Sequence, residues 1–359
     1  MTIRALVLAP DDPIAGWSVH PFQTFRLPLR LTHGVSLRCQ TYKDIRAIPG
    51  HLESFAGDLT FLATPWQVPA EKTIALFRSL AERPRREPIV YLDTFDQSSS
   101  PFFGILPYVD LYLKKQLLRD LHRYDGTFAG GDVVADWIHR TYGLDLAGWH
   151  FGSAIPEGQH AKVELGWNLG TARHLQIGFL KSLAQRSTPW HRRSLDVHYR
   201  VGLGSLDPKD YYSVHREVYR DALQPLEGEV KMVRAAGEAA RVPLDVFQAE
   251  LGDTRIGVSP FGWGEVTDRD IDYVKRGTLL VKPDMSHLRT EPDIYRPWVT
   301  YVPTRWDGSD APELCRHYLA RPRAAKQIIA AARRAYAEWY LSGRFVGRIG
   351  EVLETLSIA

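Results

Sequence analysis

Cysteine is nearly absent from this chain of 359 residues, which has only Cys39 and Cys315. Two thiols so far apart build no disulfide framework, so a reducing compartment is the default. Long apolar runs are missing as well. None approaches the roughly 20 residues that span a bilayer. The opening stretch from Met1 to Pro10 is apolar but brief and runs into Asp11-Asp12, so it reads as a first core strand rather than a leader. Excess charge is also lacking: 45 Lys+Arg against 42 Asp+Glu leave a net charge of +3, too little to imply a nucleic-acid partner. There are no repeats and no low-complexity tract. No H-E-x-x-H and no paired C-x-x-C occurs, which argues against a metal site, and a G-x-S-x-G elbow is missing too. Gly202-Leu-Gly204 lacks the third glycine of a dinucleotide fingerprint, so an NAD-type oxidoreductase ranks low.

What is present is a globular composition. A hydrophobic fraction of 44% with 11% aromatics excludes intrinsic disorder. At roughly 150 residues per domain the length predicts two domains. Short apolar runs at 3–8, 59–63, 89–92, 195–201, 230–234, 256–259 and 278–282 alternate with helical stretches, the pattern of parallel sheets covered on both faces. A polar, Pro-containing segment at 185–194 marks a boundary. The expected units are residues 1–185, residues 186–342 and a terminal segment, 343–359. Near the end, Asp310-Ala-Pro-Glu starts a helix, Pro322 interrupts it, and a long helix follows to Leu341 with Gly343 as its stop. A last short helix carries Phe345, Val346, Ile349, Val352 and Leu353 as one apolar stripe. Alone in water so short a helix is marginal, so it is expected to dock on the N-terminal half.

The segment 258–283 is the richest. An apolar strand enters a loop with Gly262 and Gly264, where the backbone can approach a ligand closely. Glu265 follows, then a helix starting near Thr267 whose free N–H groups attract an anion. Glu265 either accepts two sugar hydroxyls or caps the helix. Arg269 either forks onto a diphosphate or pairs with Asp272 or Glu265.

At these residues the sequence resembles the donor-binding half of GT-B glycosyltransferases, with the closest look to bacterial exostosin- and CgeB-like enzymes. The resemblance rests on Ser259-Pro-Phe-Gly262, Glu265, Arg269, Gly277 and Leu279-Leu-Val281, and extends over residues 195–356. The pair of glutamates seven residues apart in retaining members is not reproduced, because Phe261 stands where the first would align. The resemblance implies an α/β fold of two Rossmann-like domains facing a cleft. It also implies a glycosyltransferase that moves a sugar from a nucleotide-sugar donor to a glycan or glycolipid acceptor in surface polysaccharide synthesis. The alternative is a non-catalytic nucleotide- or glycan-binding protein of the same fold. No cofactor and no metal are expected.

Further residues join this reading. Lys282, His287 and Thr290 follow a strand end, where open α/β sheets bind ligands, and are expected to contact the donor. Arg200, near the end of the first strand of that half, is expected on the phosphate side. In the N-terminal half, Asp93 ends a strand and is a candidate general base, with turn capping as its bland alternative. His20, in the region after the first strand, is a second candidate base. Basic clusters at 83–86, 191–193 and 316–326 read as solvated helix ends. Sharing one face, they would hold a cytoplasmic protein against the inner face of an anionic membrane.

Overall fold

The computed structural model describes residues 2–84, 87–146, 148–184, 188–204 and 211–358. The first half supplies strands β1 (Ile3–Pro10), β2 (Val35–Tyr42), β3 (Leu59–Leu62), β4 (Ile89–Asp93), β5 (Leu111–Lys114), β6 (Gln116–Leu118) and β7 (Val163–Leu165). The second supplies β8 (Leu195–Val201), β9 (Met232–Ala236), β10 (Thr254–Val258), β11 (Leu279–Pro283), β12 (Leu288–Thr290) and β13 (Val302–Thr304). Helices fill the connections: α1 (Pro13–Thr24), α2 (Arg26–His33), α3 (Ile48–Glu53), α4 (Ala70–Ala81), α5 (Val133–Tyr142) and α6 (Arg173–Ala184) in the first half. They continue as α7 (Tyr211–Ala222), α8 (Leu244–Gly252), α9 (Asp268–Arg276), α10 (Ala311–Ala320), α11 (Pro322–Leu341) and α12 (Arg344–Thr355).

The described residues form three sheets. The first runs β2-β1-β3-β4-β5-β7 and the second β13-β11-β10-β8-β9, with every pairing in both parallel. The apolar runs form the central strands: β3 and β4 are buried at every position. In each sheet the first strand lies inside, flanked by the second on one side and the next on the other. That order places a topological switch point between β1 and β3, and another between β8 and β10. The third sheet is small and antiparallel. It pairs β12 with β6, Leu288 opposite Leu118 and Thr290 opposite Gln116, and so joins the two halves by main-chain bonds.

Helix α9 shows how local sequence sets the second sheet's loops. Thr267 and Asp270 form a reciprocal capping box at its start, and Gly277, left-handed at φ 66°, ends it. Helix α12 lies against α2. Its Phe345 ring stands 5.2 Å from Phe22 and 4.9 Å from Trp167, and Arg348 pairs with Glu164 at 2.5 Å. Apolar side chains from both halves, among them Leu6, Phe61, Ile271, Tyr301, Trp339 and Phe345, belong to one core.

Some expectations shift. Arg193, expected in a solvated basic cluster, is buried, its guanidinium donating to the carbonyls of Thr188, Thr254 and Arg276 and to Thr278 Oγ1. The basic cluster at 83–86 and the boundary at 185–194 fall partly outside the described residues. No described helix is long and apolar enough to cross a membrane.

Candidate functional site

The C-terminal ends of β8 and β10 converge at the switch point of the second sheet, and two arginines bracket them. Arg269, in the first turn of α9, donates from Nε to Ser259 Oγ at 3.2 Å and from Nη1 to the Arg200 carbonyl at 3.2 Å. Arg216, on α7, donates from Nε to the Phe261 carbonyl at 3.2 Å and from Nη1 to the Gly202 carbonyl. It also lies over the Tyr212 ring, 5.2 Å from the centroid. Every one of these acceptors is neutral. Among the described residues no carboxylate pairs with Arg216 or Arg269. Burial first, then the charge of Arg269, lowers the Arg216 pKa to about 10. Two guanidiniums that meet no counter-charge among the described residues are a place where an anion gains.

The surrounding residues are tightly fitted. Arg200 is occupied: Glu250 takes it in a two-point pair at 2.7 and 2.8 Å. A Cβ at Gly262 would stand 2.9 Å from Arg216 Nη2, so a side chain there would crowd the guanidinium. Gly264 presses on the main chain of the other half; a Cβ there would collide with the Asp96 carbonyl.

Glu265 faces away from the arginines, into the first half. It is 1% exposed and neither caps α9 nor pairs with Arg269. Its Oε2 accepts from the Ser98 N–H at 3.0 Å and from Gln116 Nε2 at 2.9 Å. Gln116 also donates to the Asp96 carbonyl. Asp132, buried at the start of α5, is pushed well above the usual carboxyl range by burial and then by the charge of Glu265. Around this contact Trp263 packs against Trp149 at 5.3 Å, Phe151 at 5.4 Å and Trp66 at 5.9 Å.

The two expected bases are given other partners. Asp93 is 2% exposed, and its oxygens accept from Phe95 N–H, Tyr112 O–H and Lys114 Nζ, the last at 3.0 Å. It closes a buried pair with Lys114, and three donors already engage its two oxygens. His20 lies on α1, where Nδ1 accepts the Arg173 N–H at 3.2 Å. That bond places the proton of the neutral ring on Nε2, so neither nitrogen is ready to take another. Burial also lowers its pKa, with His174 and Arg173 adding to the shift.

Of the remaining candidates, Lys282 is fully buried, its Nζ 3.0 Å from Asp270 Oδ2 and 5.4 Å from the Phe261 centroid. Asp270 is itself held by Ser259 Oγ, Thr267 N–H and Tyr295 O–H, so this pair knits loop to helix. His287 packs edge-on to Trp306 at 5.0 Å, and burial lowers its pKa. Thr290 sits in β12, and its Oγ1 is 3.4 Å from Asp293.

The structure thus gathers Arg200, Gly262 and Arg269 at one strand end, adds Arg216, puts Glu265 in the packing between the halves and leaves Asp93 in the core of the first half. Lys282 and His287 flank Phe261. Arg216, Gln116 and Ser98 went unnoticed as site residues in the sequence. No motif surrounds Arg216, and only the α7 register aims it at the glycine loop. In the first half, beyond the ends of β2 and β3, a cavity of about 620 Å³ is lined by Lys43, Arg46, Pro65, Val68 and Lys72.

No protein-family model matches the sequence, and no curated protein does. Solved structures match the fold. MnaA of S. aureus, in a co-structure with UDP, is 10% identical, with 99% of this chain and 98% of that one covered and a TM-score of 0.51. A glycosyltransferase from Rickettsia africae is 10% identical, with both chains fully covered and a TM-score of 0.49. Anabaena HepE, in complex with UDP-glucose, is 14% identical, with 98% and 100% covered and a TM-score of 0.44. At these identities the MnaA likeness speaks to the fold, which is α/β with two Rossmann-like units in the GT-B arrangement.

Proposed function

We propose that the chain is a glycosyltransferase that uses a nucleotide-sugar donor, with the donor's diphosphate held between Arg216 and Arg269. The observation that carries this reading is that pair of guanidiniums, bonded among the described residues only to neutral acceptors at the switch point of the second sheet. Charge on a leaving diphosphate is met there by fixed positive groups, which supports transfer without a metal. The likeness of segment 258–283 to exostosin- and CgeB-like enzymes favours sugar transfer over other chemistries. The acceptor, a glycan or glycolipid of surface polysaccharide synthesis in this reading, lies against the first sheet. The cavity lined by Lys43, Asp44, Arg46 and Lys72, where Asp44 already pairs with Arg46, is our candidate for its binding place.

One observation favours a non-catalytic nucleotide-binding protein as the second reading: both expected bases are already engaged, Asp93 by Tyr112 and Lys114 and His20 by the Arg173 N–H. Two measurements separate the readings. In calorimetric titrations with UDP, ADP and GDP, at least one binds the wild type. Arg216→Ala and Arg269→Ala each weaken it about 10- to 100-fold, the worth of a charge-assisted hydrogen bond. Unchanged affinity in both variants, with folding verified by circular dichroism, overturns the site. Release of nucleotide from a nucleotide sugar in the presence of a glycan acceptor then marks a transferase, and tight binding with no release marks a binding protein.

A further inference from the structure

We propose that His122, Asp125 and His160 form a binding site for one first-row divalent transition-metal ion, zinc above all. The site stands apart from the arginine pair and plays no part in the transfer chemistry argued above.

The construction begins in the local backbone. Residues Leu121–Tyr124 form a 3-10 turn, in which side chains three apart eclipse. His122 and Asp125 are three apart, so they share one face. Asp120 starts the turn by accepting the His122 N–H at 3.1 Å, and Asp125 N–H closes on the His122 carbonyl at 3.0 Å. A second 3-10 turn, His160–Lys162, brings up the third side chain. Its position is fixed from below, where Lys162 Nζ donates to the Leu106 and Val109 carbonyls at 2.9 Å each. The Tyr124 carbonyl also accepts the Ile155 N–H at 2.9 Å, tying the two loops together.

The three side chains converge. One ligand atom from each lies within 4.8 Å of the other two. Asp125 spans both imidazoles, with Oδ2 3.3 Å from His122 Nδ1 and Oδ1 2.7 Å from His160 Nε2. A tetrahedral ion with bonds near 2.0–2.2 Å holds its ligand atoms about 3.4 Å apart, so these spacings need only small side-chain adjustments. The His160 contact is close enough for a hydrogen bond but is not aligned as one. That nitrogen is sealed from solvent and has no hydrogen-bond partner among the described residues. An ion seated over the three side chains would take up the lone pair of that nitrogen. Two imidazoles and one carboxylate select zinc and its first-row neighbours over Mg²⁺ and Ca²⁺, which prefer all-oxygen sets. Tyr124, inside the first turn, donates to the Ser98 carbonyl at 2.7 Å, so an occupied site would also brace the loop that holds Glu265.

The test uses untagged full-length protein, stripped with chelator and dialysed. Calorimetry with Zn²⁺ should show one tight equivalent, and Co²⁺ should develop visible ligand-field bands that Zn²⁺ bleaches. His122→Ala and Asp125→Asn, whose side chains are 83% and 53% exposed, leave the fold intact by far-UV circular dichroism. Each should weaken Zn²⁺ binding by at least about tenfold. A hundredfold excess of Mg²⁺ should leave bound Zn²⁺ in place. A wild type without a stoichiometric equivalent, or affinity unchanged in both variants, overturns the site. Displacement by Mg²⁺ overturns its assignment to a transition metal.

Discussion

Asp93 and Lys114 form a fully buried ion pair, 3.0 Å apart with both side chains at 0% exposure. Such a pair adds little by itself, but either half alone is an uncompensated charge in the core. Asp93→Ala should therefore cost about 3–5 kcal/mol in denaturant unfolding, and Asp93→Ala with Lys114→Met should recover much of it. A variant that loses turnover while unfolding at the wild-type midpoint would instead restore Asp93 as the base. Buried histidines set a second expectation. Burial holds His198 down at about 4, despite its bond to Glu250, and His215 at about 3. From pH 6.5 down to those values the unfolded chain takes up protons that the folded chain refuses, so stability falls on acidification. His198 should contribute on the order of 3 kcal/mol to that fall, and melting curves of His198→Gln should lose that share of the slope. Arg269 could be picked out in the sequence because a glycine loop and a helix start point to it. Arg216 could not, because its meaning depends on which face of α7 meets a loop 45 residues further on.

Among the elements, continuous apolar runs were readable because burial on both faces leaves no other reading, and β1, β3, β4, β8, β10 and β11 lie where such runs occur. The edge strand β2 hid behind an alternating, half-polar pattern, Val-Ser-Leu-Arg-Cys-Gln-Thr-Tyr. Strand β9, also at an edge and only half-buried, sits two residues later than its apolar run. Strands β6 and β12, three residues each, are defined by each other across some 170 positions, which local periodicity cannot register. Helix α9 was readable from its punctuation, Thr267 before and Gly277 after. In α12 the apolar stripe predicts what is seen at Phe345, fully buried among Phe22, Phe25 and Trp167. Phe345→Ala should cost about 3–5 kcal/mol by chemical denaturation. A cost under 1 kcal/mol would show that α12 is not a structural clamp.

At the scale of the whole molecule, the halves are stitched rather than hinged. The β6–β12 ladder, the Asn168 N–H donated to the Glu291 carbonyl at 2.7 Å, and the shared core all cross between them. Two-sheet chains of this length commonly unfold in stages. Here calorimetry should give one transition with matching calorimetric and van't Hoff enthalpies, and two resolved peaks would contradict the stitching. The same closeness has an optical consequence. Trp263 of the second half stands 5.3 Å from Trp149 and 5.9 Å from Trp66 of the first. At that range indole excited states couple, and coupled indoles produce a paired positive and negative band in circular dichroism that isolated ones do not. The protein thus carries a built-in gauge of the gap between its halves. A ligand that parts them should erase the couplet while leaving the helical signal untouched.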